Sequence, residues 1–315
     1  MNGYRLSVIL LSLFLDLVLG DPPNRFHPLL LMGRWLSWGR RRAPHRGRFW
    51  FGAGWTLVGM GLFSLPWRWL GQKIPWPAAL IFSAGVLKLL FAYRNLRQAV
   101  LEVHTALAAD NLPEARRLLG WHLVSRDTSA LTAGEVAGAA IESLAENLTD
   151  SVTAPLWAYA VGGLPAAWAY RFVNTADAMW GYRTPELEQL GKFPARLDDA
   201  LNWLPARLTG WLLVAAAWLA GEDGRRAAQT MLAQHGRTAS PNAGWTMSAM
   251  AGALGVTLTK RGVYELAGGP ADPTAADIRR ALRMADVCVA LSVALIGWSG
   301  RGRRKDEGGG MRDEG

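Results

Sequence analysis

Residues 126–150 read RDTSALTAGEVAGAAIESLAENLTD, an alanine-rich run with polar ends that predicts an α-helix. We expect Asp127, Thr128 or Ser129 to cap its first free N–H groups. With 3.6 residues per turn, Asn147 lies beside a stripe of acidic residues on one face. The stripe comprises Glu135, Glu142, Glu146 and Asp150.

No basic residue within the acidic stripe offsets its negative charge. Like charges one helical turn apart destabilise a helix by roughly 0.2–0.5 kcal/mol per pair, and no lysine or arginine occurs between Glu135 and Asp150. Solvent, a distant arginine or a bound cation must therefore offset the charge. One interpretation is a solvated helix face. The other is a magnesium site, because Mg²⁺ is usually held by one or two carboxylates together with phosphates and water.

The composition is typical of a membrane protein. Of the 315 residues, 50% are apolar and only 19% are charged. The apolar residues cluster in nearly uncharged runs: Leu6–Gly20, Phe49–Leu65, Trp76–Tyr93, Val152–Phe172, Leu208–Ala220 and Met284–Trp298. A spanning helix needs about 20 such residues, so we predict an all-α, polytopic membrane protein with about four to six membrane helices.

Aromatic and basic residues support this class. Many of the 16 tryptophans stand at the ends of the apolar runs, where indole rings favour the headgroup level. The net charge of +9 comes mainly from arginine and is densest between Arg34 and Arg48. Beside apolar spans, the positive-inside rule explains this loop better than nucleic-acid binding and places it in the cytoplasm. The single cysteine, Cys288, excludes a disulfide framework.

We expect one membrane-embedded helical domain over residues 1–300. It contains a polar helical insert, about 94–150, in which Pro113 marks the start of a helix, and a polar motif block, about 174–207. The first apolar run carries Asp16 and lacks a small-residue cleavage site, so we expect it to be retained as a membrane segment. The basic, glycine-rich tail 301–315 is predicted to be disordered.

Two segments contain helix-breaking residues. Pro22, Pro23 and Pro28 predict a constrained turn that carries Asp21, Asn24, Arg25 and His27. His27 is either a ligand or base, or a structural hydrogen-bonding residue. Further along, Pro155 and the sequence GGLP at 162–165 interrupt the run 152–172, which is either a straight span or a re-entrant pair of half-helices.

The block 174–208 concentrates ionisable residues at helical spacing. Asn174 and Asp177 are three residues apart, and Asp198 and Asn202 are four apart. The cations available nearby are Arg183, Lys192, Arg196 and Arg207. Charges beside membrane segments indicate either a functional site or structural ion pairs. After this block, Ser240 or Asn242 is the predicted N-cap of a small-residue helix.

Several of these stretches together resemble the CobD/CbiB family of integral membrane proteins of cobalamin biosynthesis. The matching stretches are GDPPNRFHP, RDTSAL, AAIESLAENLTDSVTAPL, YRFVNTADAMWGYRTPE, GKFPARLDDALNWLPARL and SPNAGWTMSAMAGALGV. They span most of residues 16–256. The resemblance implies an adenosylcobinamide-phosphate synthase, which joins adenosylcobyric acid to (R)-1-amino-2-propanol or its O-phosphate through an amide bond.

The resemblance also suggests roles for the singled-out residues, with Mg²⁺ and ATP as implied requirements. The expected metal and phosphate ligands are Glu142, Glu146, Asp150, Asp198 and Asp199. Arg126, Arg196 and Arg207 would bind phosphate or stabilise the transferring phosphoryl group, and Asp177 would take the proton from the attacking amine. The residues expected to bind substrate are Asp127, Asn147, Asn174 and Asn242.

The implied location is the inner (cytoplasmic) membrane, with several spans and an active site facing the cytoplasm. The implied partners are the corrinoid, the amino alcohol, membrane lipid and other enzymes of the pathway. The sequence contains neither a Walker A loop nor a G-x-G-x-x-G motif after a strand. A corrinoid-carrying scaffold or a transporter is the alternative, although a transporter should show matching broken segments in two halves.

Overall fold

The computed structural model describes residues 3–22 and 27–307. Asn24 and Arg25, which we placed on a proline-rich turn, lie outside the described residues. Where we predicted one domain over residues 1–300, the chain divides into two compact units. Unit 1 comprises Met1–Ala92, Pro155–Leu201 and Val293–Gly315, and unit 2 comprises Tyr93–Ala154 and Asn202–Ser292.

The described residues are mostly helical, which confirms that part of the predicted fold class. The helices are α1 Gly3–Leu19, α2 Leu29–Arg42, α3 Arg48–Ser64, α4 Pro66–Lys73, α5 Ala78–Lys88, α6 Tyr93–Ala108, α7 Leu112–His122, α8 Ala133–Leu148, α9 Ala154–Trp180, α10 Lys192–Leu219, α11 Gly224–Gln234, α12 Ala243–Leu254 and α13 Ala275–Glu307. The helix α13 extends to Glu307, into the tail for which we predicted no structure; residues 308–315 lie outside the description.

Unit 2 also contains a β-hairpin that the all-α prediction missed. Strands β1 Thr257–Lys260 and β2 Tyr264–Ala267 pair antiparallel, with Lys260 opposite Tyr264 and Leu258 opposite Leu266. Both leucines are fully buried. Gly262 closes the turn with φ 70°, a conformation that favours glycine. Strands of four residues are too short for a clear alternating pattern, so burial of the two leucines determines this element.

The acidic stripe lies on α8, but the helix begins later than predicted. Its N-cap is Thr132, whose hydroxyl accepts a hydrogen bond from the Glu135 N–H, while the Glu135 carboxylate accepts one from the Thr132 N–H. The prediction that Asp127, Thr128 or Ser129 caps α8 was therefore wrong. The Thr-x-x-Glu spacing is a capping box, which satisfies two N–H groups and outcompetes the upstream candidates.

The interruption predicted in the run 152–172 is present as a kink in α9. Gly163 adopts φ 70° and ψ −161° inside this helix, followed by Pro165. Because proline has no N–H to donate to the carbonyl four residues earlier, the bond to Val161 is lost. The Arg5 guanidinium of unit 1 compensates, since its Nη1 donates to the carbonyl oxygens of Ala160 and Val161, each at 2.8 Å.

The kink predicts unequal effects of two glycine substitutions in unit 1. Gly163→Ala should destabilise the protein by about 1–3 kcal/mol, since that backbone region is essentially restricted to glycine. Gly54 is helical and exposed, and a Cβ atom added there would meet open space. Its replacement by alanine should stabilise α3 by up to about 1 kcal/mol. Thermal unfolding of the two variants in detergent, beside wild type, measures both effects, and equal melting temperatures for the two variants would contradict this account of the kink.

Two helical stretches among the described residues are long and apolar enough to cross a membrane. They are Ala78–Ala108 and Ala275–Ser299. This is fewer than the four to six spans that we predicted. The helices α1 and α3 are each 17 residues long, shorter than the about 20 residues that usually span a membrane. The segment between the apolar runs that end at Leu65 and begin at Trp76 contains the helix α4.

Candidate functional site

Unit 2 brings several predicted site residues together around a small polar cavity of about 190 Å³, which we call the acidic pocket. Its lining includes Arg126, Glu142, Glu146 and Asn147 from the 126–150 stretch. The remaining lining residues are Leu123, Val124, Ser125, Ala139, Ser143, Lys260 and Tyr264. Asp150 belongs to a π-helical turn, Thr149–Thr153, directly after α8.

Glu142 is the buried acid of this pocket, with only 6% of its surface exposed. Its Oε1 has no hydrogen-bond partner among the described residues, and Arg126 Nη2 lies 3.9 Å from its Oε2. Burial raises the pKa of Glu142 to about 7, although the Arg126 charge and a hydrogen bond from Tyr264 act in the opposite direction. A cation entering the pocket would favour the ionised form of this carboxyl group.

The hairpin supplies two pocket residues that sequence reasoning missed. Lys260 ends β1 and Tyr264 begins β2, so their pairing in register places both at the turn end of the hairpin. Burial, followed by the negative charges of Glu142 and Glu146, raises the pKa of the Tyr264 hydroxyl. The only local signal in the sequence is the turn KRGVY at 260–264, which marks a hairpin but gives no indication that it packs beside α8.

Three further predicted residues of the 126–150 stretch, Glu135, Asp127 and Asn147, have polar partners. Glu135 forms an ion pair with Arg261, so a distant arginine offsets this member of the stripe. Asp127 accepts hydrogen bonds from the N–H and hydroxyl of Ser129, at 2.9 and 3.0 Å. Asn147 donates to the Ser143 carbonyl at 2.9 Å and accepts from the Ser151 hydroxyl at 3.2 Å.

Unit 1 contains a second group of predicted residues, built from α9 and the start of α10. Asn174 Nδ2 donates to Asp198 Oδ1 at 3.3 Å, and Arg171 donates to Asn174 Oδ1 at 3.2 Å. Burial raises the pKa of Asp177 to about 6, and the nearby negative charge of Asp199 acts in the same direction. A carboxyl group whose pKa is raised in this way has the basicity that suits a general base near neutral pH.

The two predicted arginines of α10 have different surroundings. Arg196 is exposed and forms no ion pair within the described ranges. In unit 2, the Arg207 guanidinium lies 4.2 Å from the Trp203 ring centroid and 4.8 Å from that of Trp245. It also donates to Asn242 Oδ1 at 3.4 Å. Arg207 is therefore a cation held in place by aromatic rings, and burial lowers its pKa.

Of the two predicted N-caps of α12, Ser240 provides the side-chain hydrogen bonds. Its hydroxyl accepts from the N–H groups of Asn242 and Ala243, at 3.2 and 3.4 Å. Asn242 occupies the N-cap position without a side-chain capping bond. Its amide oxygen is consequently available to Arg207.

A larger cavity, of about 710 Å³, lies within unit 1 and is called here the arginine-lined cavity. Its lining residues are Asp21, His27, Leu29, Leu30, Gly33, Arg34, Ser37, Arg41 and Met179. Asp21 forms an ion pair with the buried Lys88. His27 Nδ1 accepts the Leu29 N–H at 3.3 Å, and burial is the main cause of its lowered pKa. His27 therefore has the structural role that we considered for it, at the start of α2.

Among the described residues, the predicted metal ligands form no metal site made of protein groups alone. Glu142, Glu146 and Asp150 belong to unit 2, whereas Asp198 and Asp199 belong to unit 1. Within residues 3–22 and 27–307, no group of three or more His, Cys, Asp or Glu side chains could hold a metal ion. The acidic pocket nevertheless fits Mg²⁺ bound jointly with phosphate, because it combines two carboxylates with the cations Arg126 and Lys260.

These features define a largely helical protein with two candidate membrane spans and buried ionisable groups in each unit. The family model described as CobD/Cbib protein matches residues 9–293. The chain therefore belongs to the CobD/CbiB family.

Curated relatives cover most of the chain. A probable cobalamin biosynthesis protein CobD of Methanothermobacter thermautotrophicus is 45% identical over 268 residues, 85% of this chain and 88% of the relative. The cobalamin biosynthesis protein CobD of Dehalococcoides mccartyi is 41% identical over 83% of this chain and 86% of its own length. That of Photorhabdus laumondii is 38% identical over 90% and 91%, respectively. No solved structure matches this chain.

Proposed function

We propose that this protein acts in cobalamin biosynthesis by joining the propionate carboxyl group of adenosylcobyric acid to (R)-1-amino-2-propanol or its O-phosphate. The product of this amide bond formation is adenosylcobinamide or its phosphate. The family match over residues 9–293 carries the proposal, because relatives named as cobalamin biosynthesis proteins cover nearly the whole chain.

Asp177 is the proposed general base. As the new C–N bond forms between the activated carboxyl carbon and the amine nitrogen, the bond from that carbon to its phosphate or adenylate leaving group breaks, and the nitrogen must lose a proton. A partly buried carboxylate with a pKa of about 6 is largely ionised at neutral pH and still basic enough to accept it. Asp199 raises the pKa of Asp177 through its charge, and Asp198 fixes Asn174, so we assign these two residues to positioning the base.

The acidic pocket is the proposed site for Mg²⁺ and the phosphates of ATP. When bound, ATP supplies the activation that turns the substrate carboxylate into an acyl donor. Glu142 and Glu146 would hold the metal ion, with Asp150 contributing through the adjoining turn, and Arg126 and Lys260 would bind phosphate oxygens. The buried Glu142 Oε1, which lacks a partner in the described structure, supports a ligand at this position.

The remaining predicted residues are assigned to recognition. Arg207, fixed between two tryptophan rings, would bind an anionic group, as would the exposed Arg196. The side chains proposed to bind amide groups of the corrinoid or other substrate groups are Asp127, Asn147, Asn174 and Asn242. Other enzymes of the pathway would deliver or receive the corrinoid.

Several contiguous apolar side chains support a location in the cytoplasmic membrane. Beyond the two candidate spans, α1 exposes Leu10, Phe14, Leu17 and Val18. α3 exposes Leu57, Val58 and Leu62 in the same way. Exposed apolar patches of this kind mark surfaces that contact lipid or protein. The arginines of α2 and of the loop after it favour a multi-pass orientation with the reaction on the cytoplasmic side.

The direct test is a product assay on the full-length protein purified in detergent. Adenosylcobyric acid and aminopropanol phosphate should give an amide product, detected by mass spectrometry, only when both ATP and Mg²⁺ are present. Omission of ATP, or addition of a chelator, should reduce product formation to background. Corrinoid binding by folded protein without any product would instead support the carrier alternative.

A further inference from the structure

The β-hairpin of unit 2 is attached to α8 by an apolar contact and by an ion pair. Leu258 of β1 is fully buried, and a Cβ atom added at Gly138 would lie 3.8 Å from its Cδ2. One helical turn earlier, the Glu135 carboxylate accepts hydrogen bonds from Nε and Nη2 of Arg261, at the turn of the hairpin. Residues one turn apart share a helix face. The base and the turn of the hairpin therefore contact the same face of α8 at separate points.

The two sides of β1 face different cavities. Thr257, Thr259 and Arg261 line a cavity of about 280 Å³ beside the start of α8, together with Glu135. Lys260 lines the acidic pocket instead. Successive side chains along a strand point to opposite faces, so the ion pair and Lys260 lie on opposite sides of the same short strand. Holding Arg261 in place therefore also holds the backbone from which Lys260 extends.

The turn of the hairpin, in contrast to its base, is open to solvent. Arg261, Gly262 and Val263 are exposed, whereas Leu258 and Leu266 are fully buried. A two-stranded hairpin is only marginally stable on its own, and segments with few buried contacts open locally at a small cost in free energy. An ion pair at the turn should therefore affect local opening of the hairpin more than global unfolding of the protein.

The acidic stripe of α8 consequently has two parts. Glu135, in the first turn, is paired with a cation of the hairpin. Glu142 and Glu146, further along the helix, line the acidic pocket. The hairpin thus connects the two parts, since Arg261 contacts the first and Lys260 lies beside the second.

We propose that the ion pair between Arg261 and Glu135, here called the hairpin latch, holds the turn on α8 and so positions Lys260 for the phosphates of the nucleotide. The inference rests on the function proposed for the acidic pocket and deepens it. Arg261 and Glu135 are positioning residues, because they line the neighbouring cavity and act through Lys260. A turn that is already ordered loses less conformational entropy when the ligand binds, which increases affinity.

The first test is equilibrium binding of a non-hydrolysable ATP analogue with Mg²⁺ to the full-length protein in detergent. Arg261→Gln should weaken binding about fivefold, the upper end for an exposed ion pair, which bidentate geometry favours. Glu135→Gln should have the same effect, because glutamine removes the charge but can still complete the capping box. The double variant should lose no more affinity than either single variant, since each change alone breaks the latch.

Arg117→Gln is the matched control. Arg117 donates from Nε and Nη2 to the two carboxylate oxygens of Glu114, each at 2.7 Å, so this pair is bidentate as well. The Arg117 and Arg261 side chains are also similarly exposed, at 60% and 59%. The control pair joins two residues of α7, so its loss should leave nucleotide affinity unchanged. An equal loss of affinity in Arg117→Gln would indicate a general effect of charge and overturn the proposal.

A variant of Lys260 distinguishes positioning from a direct attraction between Arg261 and the nucleotide. Lys260→Gln removes the proposed phosphate contact. If Arg261 acts through Lys260, adding Arg261→Gln to this variant should weaken binding no further. Additive losses of affinity would contradict the positioning role. Arg261→Lys, which keeps the positive charge, should bind the analogue more tightly than Arg261→Gln.

Hydrogen exchange of the hairpin amides tests the latch without any nucleotide. The Val263 N–H donates to the Lys260 carbonyl oxygen at 2.9 Å across the turn. The amides of the hairpin should exchange about fivefold faster in Arg261→Gln than in wild type or Arg117→Gln, because the turn opens more often. Unchanged exchange would overturn the latch. Faster exchange in the variant, combined with no nucleotide binding by wild type, would retain the latch and reject the nucleotide site proposed for the acidic pocket.

Discussion

Replacing Asp177 by asparagine should lower kcat for amide formation by about 10²–10⁴-fold, the usual contribution of a general base. Asparagine has nearly the same shape but cannot accept the proton from the amine nitrogen. Because the carboxyl group is partly buried and its pKa is raised to about 6, removing its charge should not destabilise the folded protein at neutral pH. The assay is single-turnover amide formation, with thermal unfolding as the measure of folding.

The pH dependence distinguishes a base from a structural residue. Only ionised Asp177 accepts a proton, so kcat/KM should rise as the pH increases through about 6. Asp199→Asn removes the like charge that raises the pKa of Asp177, so this rising limb should move to lower pH. Glu188→Gln, which removes an exposed carboxylate from unit 1, is the control and should leave the profile unchanged. If the Asp177→Asn protein forms the amide at the wild-type rate, Asp177 is not the base.

Glu146→Gln should lower ATP-dependent product formation at least about 100-fold, because it removes one of the carboxylates proposed to hold Mg²⁺ with the nucleotide. Glu146 is exposed at the acidic pocket, so the isosteric change should leave folding intact. The measurement is the initial rate as a function of Mg²⁺ concentration at saturating ATP. The variant should require a higher Mg²⁺ concentration as well as reacting more slowly.

Glu114→Gln provides the matched control for this experiment. Glu114 is an acid near the start of α7 whose only described ion pair is with Arg117, three residues along the same helix. The Glu114→Gln protein should have the same rate and the same Mg²⁺ dependence as wild type. If Glu146→Gln has the rate and the Mg²⁺ dependence of wild type, the acidic pocket takes no part in the reaction. Loss of product in both variants would indicate a general effect of charge.

Much of the helical framework could be predicted because it depends on local patterns. The start of α7 follows from Asn111 and Pro113, and the kink in α9 follows from Gly163 and Pro165. Membership of the CobD/CbiB family could likewise be inferred from the ordered motifs, which the match over residues 9–293 confirms. The start of α8 could also have been predicted, from the spacing of Thr132 and Glu135. We instead expected one of three residues upstream to be the N-cap.

Contacts between distant segments could not be predicted in this way. The acidic pocket joins α8 to Lys260 and Tyr264, more than a hundred residues later, because the buried Leu258 and Leu266 hold the hairpin in unit 2. Likewise, nothing in the run of arginines on α2 distinguishes Arg34 and Arg41, which face a cavity, from Arg40 and Arg42, which meet Glu186 and Trp38.

The amino-acid sequence by itself thus determined much of the helical framework, the break in α9, the family and the set of ionisable residues. Only the tertiary structure decided which of those residues meet and how their pKa values change. The physical reason is that helix propensity and capping act within one or two turns, whereas desolvation and charge interactions depend on what packs around a group. Burial raises the pKa values of Glu142 and Asp177, and the neighbouring charges of Arg126 and Asp199, respectively, modify those values.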